Sequence, residues 1–117
     1  MGLDVSKRGS IRAGLGEWVV QRVTAVYMLG YIAASLVWIL VSPVATHADW
    51  VSLSSGLVFK VTILLFVFSM LAHAWLGMKS VMLDYIKPWR LRFMLTMLLA
   101  MILIAVAVWS VLVVGWQ

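Results

Sequence analysis

Polar and apolar positions in this chain fall into long blocks rather than into an alternation. Residues 1–22 are polar and basic, with Lys7, Arg8, Arg12 and Arg22 among small side chains, and Trp18, Val19 and Val20 stand at the edge of the first apolar run. Residues 23–41 then run for 19 positions without a charge. At about 1.5 Å of rise per residue, such a run crosses a hydrocarbon core about 30 Å thick, which predicts a first membrane-spanning helix there. Ser42, Pro43, Thr46, His47 and Asp49 supply turn and breaker chemistry, and the polar character persists through Ser52, Ser54, Ser55 and Gly56, so 42–56 reads as a connection. A second span is expected over 58–78 with Lys60 reaching out to the headgroups, since the 18 residues between Lys60 and Lys79 cover about 27 Å of helix. Residues 79–92 form a short charged connection that can begin as a continuation of the second helix. Residues 93–116, again free of charge, form the third span.

Composition agrees with lipid as the solvent. The 117 residues are 65% hydrophobic and 11% charged, against about 45–50% and about 25% for soluble domains. A globular domain of this size buries only about two-thirds of its surface, so the apolar excess needs lipid or a partner. No internal repeat is visible, and the chain reads as one domain, residues 1–117: an all-α membrane protein with three transmembrane helices and a polar arm over 1–22. The first apolar run is too long for a signal-peptide core of about 7–15 residues, so it is expected to stay as a span. Cysteine is absent, which excludes disulfides and thiolate-held zinc or iron–sulfur centres, so a redox centre here must use other ligands.

The net charge of +5 arises from 9 Lys and Arg against 4 Asp and Glu. Nucleic-acid binding would require that charge as a surface patch, whereas here it lies between the apolar runs, and no nucleic-acid partner is expected. Lys7, Arg8, Arg12, Arg22, Lys79, Lys87, Arg90 and Arg92 fall on one side of the membrane and only Lys60 on the other. The positive-inside rule therefore puts the amino terminus in the cytoplasm. Trp18 and Trp89 on that side, with Trp50 and Trp116 opposite, fit the interfacial aromatic belts.

His73 is the one histidine inside a span. On a helix, Thr62, Phe66, Ser69, His73, Gly77, Ser80 and Asp84 fall within about 40° of one line, a small and polar stripe expected to face protein rather than lipid. Such a stripe admits a neighbouring backbone or a flat cofactor, and a neutral imidazole ligates a metal through one ring nitrogen. A hydrogen bond to an adjacent helix is the plainer alternative; the small residues favour the cofactor. His47, beside Asp49, is expected in a solvated outer loop. Asp84 and Tyr85 belong near the cytoplasmic surface. Arg22, just before the first span, suits a lipid phosphate, a carboxylate or the polar edge of a cofactor. Gly30 and Ala34 have a spacing that favours close helix packing, and Tyr27, Tyr31 and Trp38 are expected to pack against helices and lipid.

Three segments, Gln21-Arg22-Val23-Thr24-Ala25, His73-Ala74-Trp75-Leu76-Gly77-Met78 and Asp84-Tyr85-Ile86-Lys87-Pro88, in this order on a three-span chain, resemble the D-type hydrophobic anchor subunits of bacterial succinate dehydrogenase, respiratory complex II. The likeness runs from about residue 15 to the carboxyl terminus. The companion C-type anchors carry Ser-x-x-His-Arg-x-Ser/Thr-Gly and Arg-Pro-x-Ser-Pro-His motifs that are missing here. The resemblance implies that His73 supplies one axial ligand of haem b, the other coming from the C-type cytochrome b anchor packed beside this chain as a helical bundle. It also implies that Arg22 lies near the haem propionates, and that Tyr85 with Asp84 lies at the ubiquinone site. It further implies a flavoprotein subunit and an iron–sulfur subunit as partners, in the bacterial inner membrane. Two other classes compete: a small transporter or proton-conducting subunit, for which no intramembrane carboxylate is present to pair with His73, and a purely structural anchor or assembly subunit.

Overall fold

The computed structural model describes the backbone of residues 5–117 and the side chains of residues 12–117; Lys7 and Arg8, two of the charges that set the expected orientation, lie outside the described side chains. Four helices follow one another: α1 (Val5–Val41), α2 (His47–Ser55), α3 (Leu57–Tyr85) and α4 (Trp89–Trp116). Three of them, over Arg12–Val41, Leu57–Tyr85 and Trp89–Trp116, are long and apolar enough to cross a membrane. Helices suit this solvent because each satisfies its backbone hydrogen bonds internally. The chain is a multi-pass membrane protein.

Local chemistry sets each boundary. α1 stops at Val41 because Ser42 precedes Pro43, which cannot continue the ladder; the Ser42 amide closes the last turn on the Trp38 carbonyl at 2.8 Å. The polar stretch 42–56, expected as a loop, contains α2. Thr46 caps it: its Oγ1 accepts from the Asp49 amide at 3.2 Å, while Asp49 Oδ2 accepts from the Thr46 amide at 2.9 Å. Two otherwise unpaired amides are thereby satisfied, which is why nine residues rich in serine hold a helix. His47 opens that helix, exposed. The Thr46 hydroxyl, together with the Thr46 and Ala45 amides, holds the Asp49 carboxyl below the usual carboxylate range. Gly56 ends α2 and begins α3, with an added Cβ meeting the Leu53 carbonyl oxygen at 3.4 Å.

α3 runs through Lys79 to Tyr85, so most of the expected charged connection is helical and only residues 86–88 link it to α4. Pro88 stands as the N-cap of α4, where its missing amide proton costs nothing. At the other end of the chain, α1 is continuous from the polar arm into the span.

α3 occupies the middle: α1 packs on one side of it, α4 on the other, and α2 folds against its start, where Trp50 meets Phe59 edge-on at 5.8 Å between ring centroids. The spanning helices alternate in direction. Glu17, Thr24 and Tyr31 of α1 meet Lys79, His73 and Phe66 of α3, numbers rising on one helix as they fall on the other. The start of α1, the end of α3 and the start of α4 therefore share one end of the molecule, which carries all the basic side chains described except Lys60. The accessible surface is 9223 Å², against about 6,400 Å² for a compact soluble protein of this mass. Met82 is the one buried apolar side chain among the described residues, close to Thr96 of α4. Three helices side by side have no interior of their own, and their apolar flanks are left for the surrounding bilayer.

Candidate functional site around His73

The α1–α3 seam assembles from two stripes. On α3, Thr62, Phe66, Ser69, His73 and Gly77 are all partly buried, as the sequence stripe requires if it faces protein, whereas Ser80 and Asp84, its last members, are exposed. The facing line on α1 is Glu17, Gln21, Thr24, Met28, Tyr31 and Ser35, at alternating steps of four and three, the spacing that keeps side chains on one face of a helix. Thr24 is the most enclosed residue of this line, at 9% exposure.

Contacts along the seam are specific. Lys79 Nζ lies 3.0 Å from Glu17 Oε1, but with side chains 40% and 47% exposed this ion pair is worth less than about 1 kcal/mol. Two turns further in, Thr24 Oγ1 lies 3.2 Å from His73 Nδ1. The Tyr27 hydroxyl donates to the Thr62 carbonyl at 2.9 Å, and the Tyr31 and Phe66 rings pack at 5.0 Å. Intramembrane hydrogen bonds of this kind contribute about 0.6 kcal/mol on average, so register comes from several weak contacts together. Gly77 keeps the seam narrow near His73; a Cβ there would stand 3.9 Å from Gln21 Nε2.

His73 is half-buried, mid-length on α3. No group of three or more His, Cys, Asp or Glu that could enclose a metal ion exists among the described residues. A bare ion therefore does not fit. A planar group that brings its own equatorial donors does, because it asks for a single imidazole from this chain.

The other expected residues lie apart from His73. Arg22 is exposed, about 200° around α1 from Thr24 and so turned away from α3, with its guanidinium over the Trp18 ring at 5.4 Å. Asp84 and Tyr85 end α3, exposed, and Tyr85 stands about 18 Å along the axis from His73. Gly30 and Ala34, expected in a close helix contact, are exposed, with nothing within 4 Å of a Cβ built on Gly30. Their line lies on the flank of α1, about 100° around from Thr24, because the polar seam sets the rotation of α1. Thr24 appears in the sequence only as part of a motif; the alternating line of Gln21, Thr24, Tyr31 and Ser35 is the signal that singles it out.

Over residues 4–113 the sequence matches the family described as succinate dehydrogenase/fumarate reductase transmembrane subunit. That match begins upstream of residue 15, where the motif resemblance starts. The chain is also 35% identical, over 109 residues, to a succinate dehydrogenase hydrophobic membrane anchor subunit of Coxiella burnetii, covering 93% of this chain and 94% of that protein.

Proposed function

The chain belongs to the succinate dehydrogenase/fumarate reductase transmembrane subunit family and is a membrane anchor subunit of such a complex; from that premise we propose that it holds haem b through His73 and forms part of the site where ubiquinone is reduced. The observation that carries this reading is the setting of His73, the one histidine in a span, partly buried on the seam of α3 with one ring nitrogen against Thr24. Haem, when bound, supplies a one-electron carrier within the bilayer. His73 would supply one imidazole to the haem, and the C-type cytochrome b anchor the other. Arg22, exposed at the membrane boundary with its guanidinium over Trp18, would offset propionate charge there.

Quinone reduction takes up two electrons and two protons, so a site at the aqueous end of α3 shortens the proton path. The Tyr85 hydroxyl donates a hydrogen bond to the quinone oxygen as negative charge develops there, and the adjacent Asp84 carboxylate offers a proton relay to water. Electrons arrive from the flavoprotein through the iron–sulfur subunit, docked at the basic end of the bundle on the cytoplasmic side of the bacterial inner membrane. The chain acts as one unit over residues 1–117, with spans near 23–41, 58–78 and 93–116.

The test is the visible spectrum of the assembled complex carrying His73→Ala. Loss or a large shift of the low-spin haem b bands is expected, because the axial ligand sets the electronics of the iron. An unchanged spectrum and haem content would remove His73 as a ligand.

A further inference from the structure

We propose that Thr24 is the positioning residue that makes His73 a ligand: it holds the imidazole as the tautomer with its proton on Nδ1, leaving the Nε2 lone pair for iron, and it tunes how strongly that nitrogen donates. This rests on the reading of His73 as an axial ligand.

Proton accounting leads to it. The Thr24 hydroxyl has one proton and two lone pairs. Its oxygen lies 2.7 Å from the Val20 carbonyl, 3.1 Å from the Gln21 carbonyl and 3.2 Å from His73 Nδ1. Both carbonyls only accept, and the shortest contact, one helical turn back, takes the proton. A lone pair is what Thr24 then presents to His73, so Nδ1 must be the donor. The opposite arrangement, with Nδ1 accepting, would put the proton on Nε2, where it would block metal binding.

The oxygen is held in place. Threonine is branched at Cβ and stiff at its first torsion, and Thr24 is at 9% exposure. α1 and α3 also meet on both sides of it along the seam, at Gly77 with Gln21 toward one end and at Tyr27 with Thr62 and Tyr31 with Phe66 toward the other. The ring of His73 is thereby oriented from α1, not from its own helix. A hydrogen bond at the far nitrogen of a metal-bound imidazole makes the ligand more basic and favours the oxidised metal. Thr24 therefore lowers the haem midpoint potential.

The experiment compares the assembled complex with Thr24→Val, which keeps the shape and removes the acceptor, Thr24→Ser, which keeps the acceptor, and His73→Ala. Haem content, potentiometric midpoint and the electron paramagnetic resonance of the ferric low-spin haem are read. Thr24→Val should retain haem, alter the resonance, and raise the potential by about 18–59 mV, a two- to tenfold change in the ferric/ferrous ratio at 59 mV per tenfold for a one-electron couple. Thr24→Ser should match the unmodified complex. If Thr24→Val has the unmodified potential and resonance while His73→Ala loses the low-spin haem, this inference is overturned and the ligand assignment stands. If His73→Ala keeps the low-spin haem, the ligand assignment fails and this inference with it. Should the valine variant not assemble, Thr24→Cys, a weak acceptor, takes its place, and agreement of its potential with Thr24→Ser overturns the proposal.

Discussion

Removing a single oxygen from Tyr85 separates the quinone site from everything else this chain does. Tyr85 is the last residue of α3, 80% exposed, and its hydroxyl bonds to no group among the described residues. Tyr85→Phe therefore deletes no contact that holds these helices together and keeps the ring. It also lies about 18 Å along α3 from His73, so the haem bands should be unaltered. If the hydroxyl donates to a quinone oxygen gaining negative charge, its loss costs roughly 1.5–3 kcal/mol of transition-state stabilisation, a fall of about 10- to 150-fold in rate. The assay compares electron delivery to a ubiquinone analogue with delivery to a soluble dye that takes electrons before the membrane site, and only the first should fall. Equal loss of both activities would trace the defect to assembly, and loss of neither would refute the placement of the quinone site at Tyr85.

Two further outcomes are expected. A reporter active only in the cytoplasm should work when inserted within 86–88 and be silent within 42–46, since all the basic side chains described except Lys60 lie at the end of the molecule that includes the first insertion; the reverse would invert the proposed orientation and move the quinone site across the membrane. The carboxyl of Asp49 is held below its unfolded value, so its stabilisation of the α2 cap is complete above that value, about 3.9, and is lost as pH falls through the lower folded value. Hydrogen-exchange protection of the Thr46 and Ala45 amides should therefore drop as the pH is taken below the ordinary carboxylate range, and the drop should be absent in Asp49→Asn.

The spans of this protein were legible in its sequence because burial in lipid depends on the composition of about 20 consecutive residues and on nothing distant. The same locality exposed His73: a lone imidazole on a small, polar stripe is a pattern within one helix. The α2 cap is local too, in Thr46 and Asp49, but the serines and Gly56 around it read more strongly as a loop. Tertiary structure alone decided how α1 is turned. Lipid is as apolar as the side chains that touch it, so an apolar helix carries little sign of which face meets which neighbour, and the Gly30 and Ala34 line does not mark the face that meets α3. The contacts of Glu17, Thr24, Tyr27 and Tyr31 with α3 settle the rotation, which turns Arg22 outward and brings a threonine to the histidine 49 positions away in sequence. No property of either helix taken singly contains that pairing, because it exists only once two helical phases are matched.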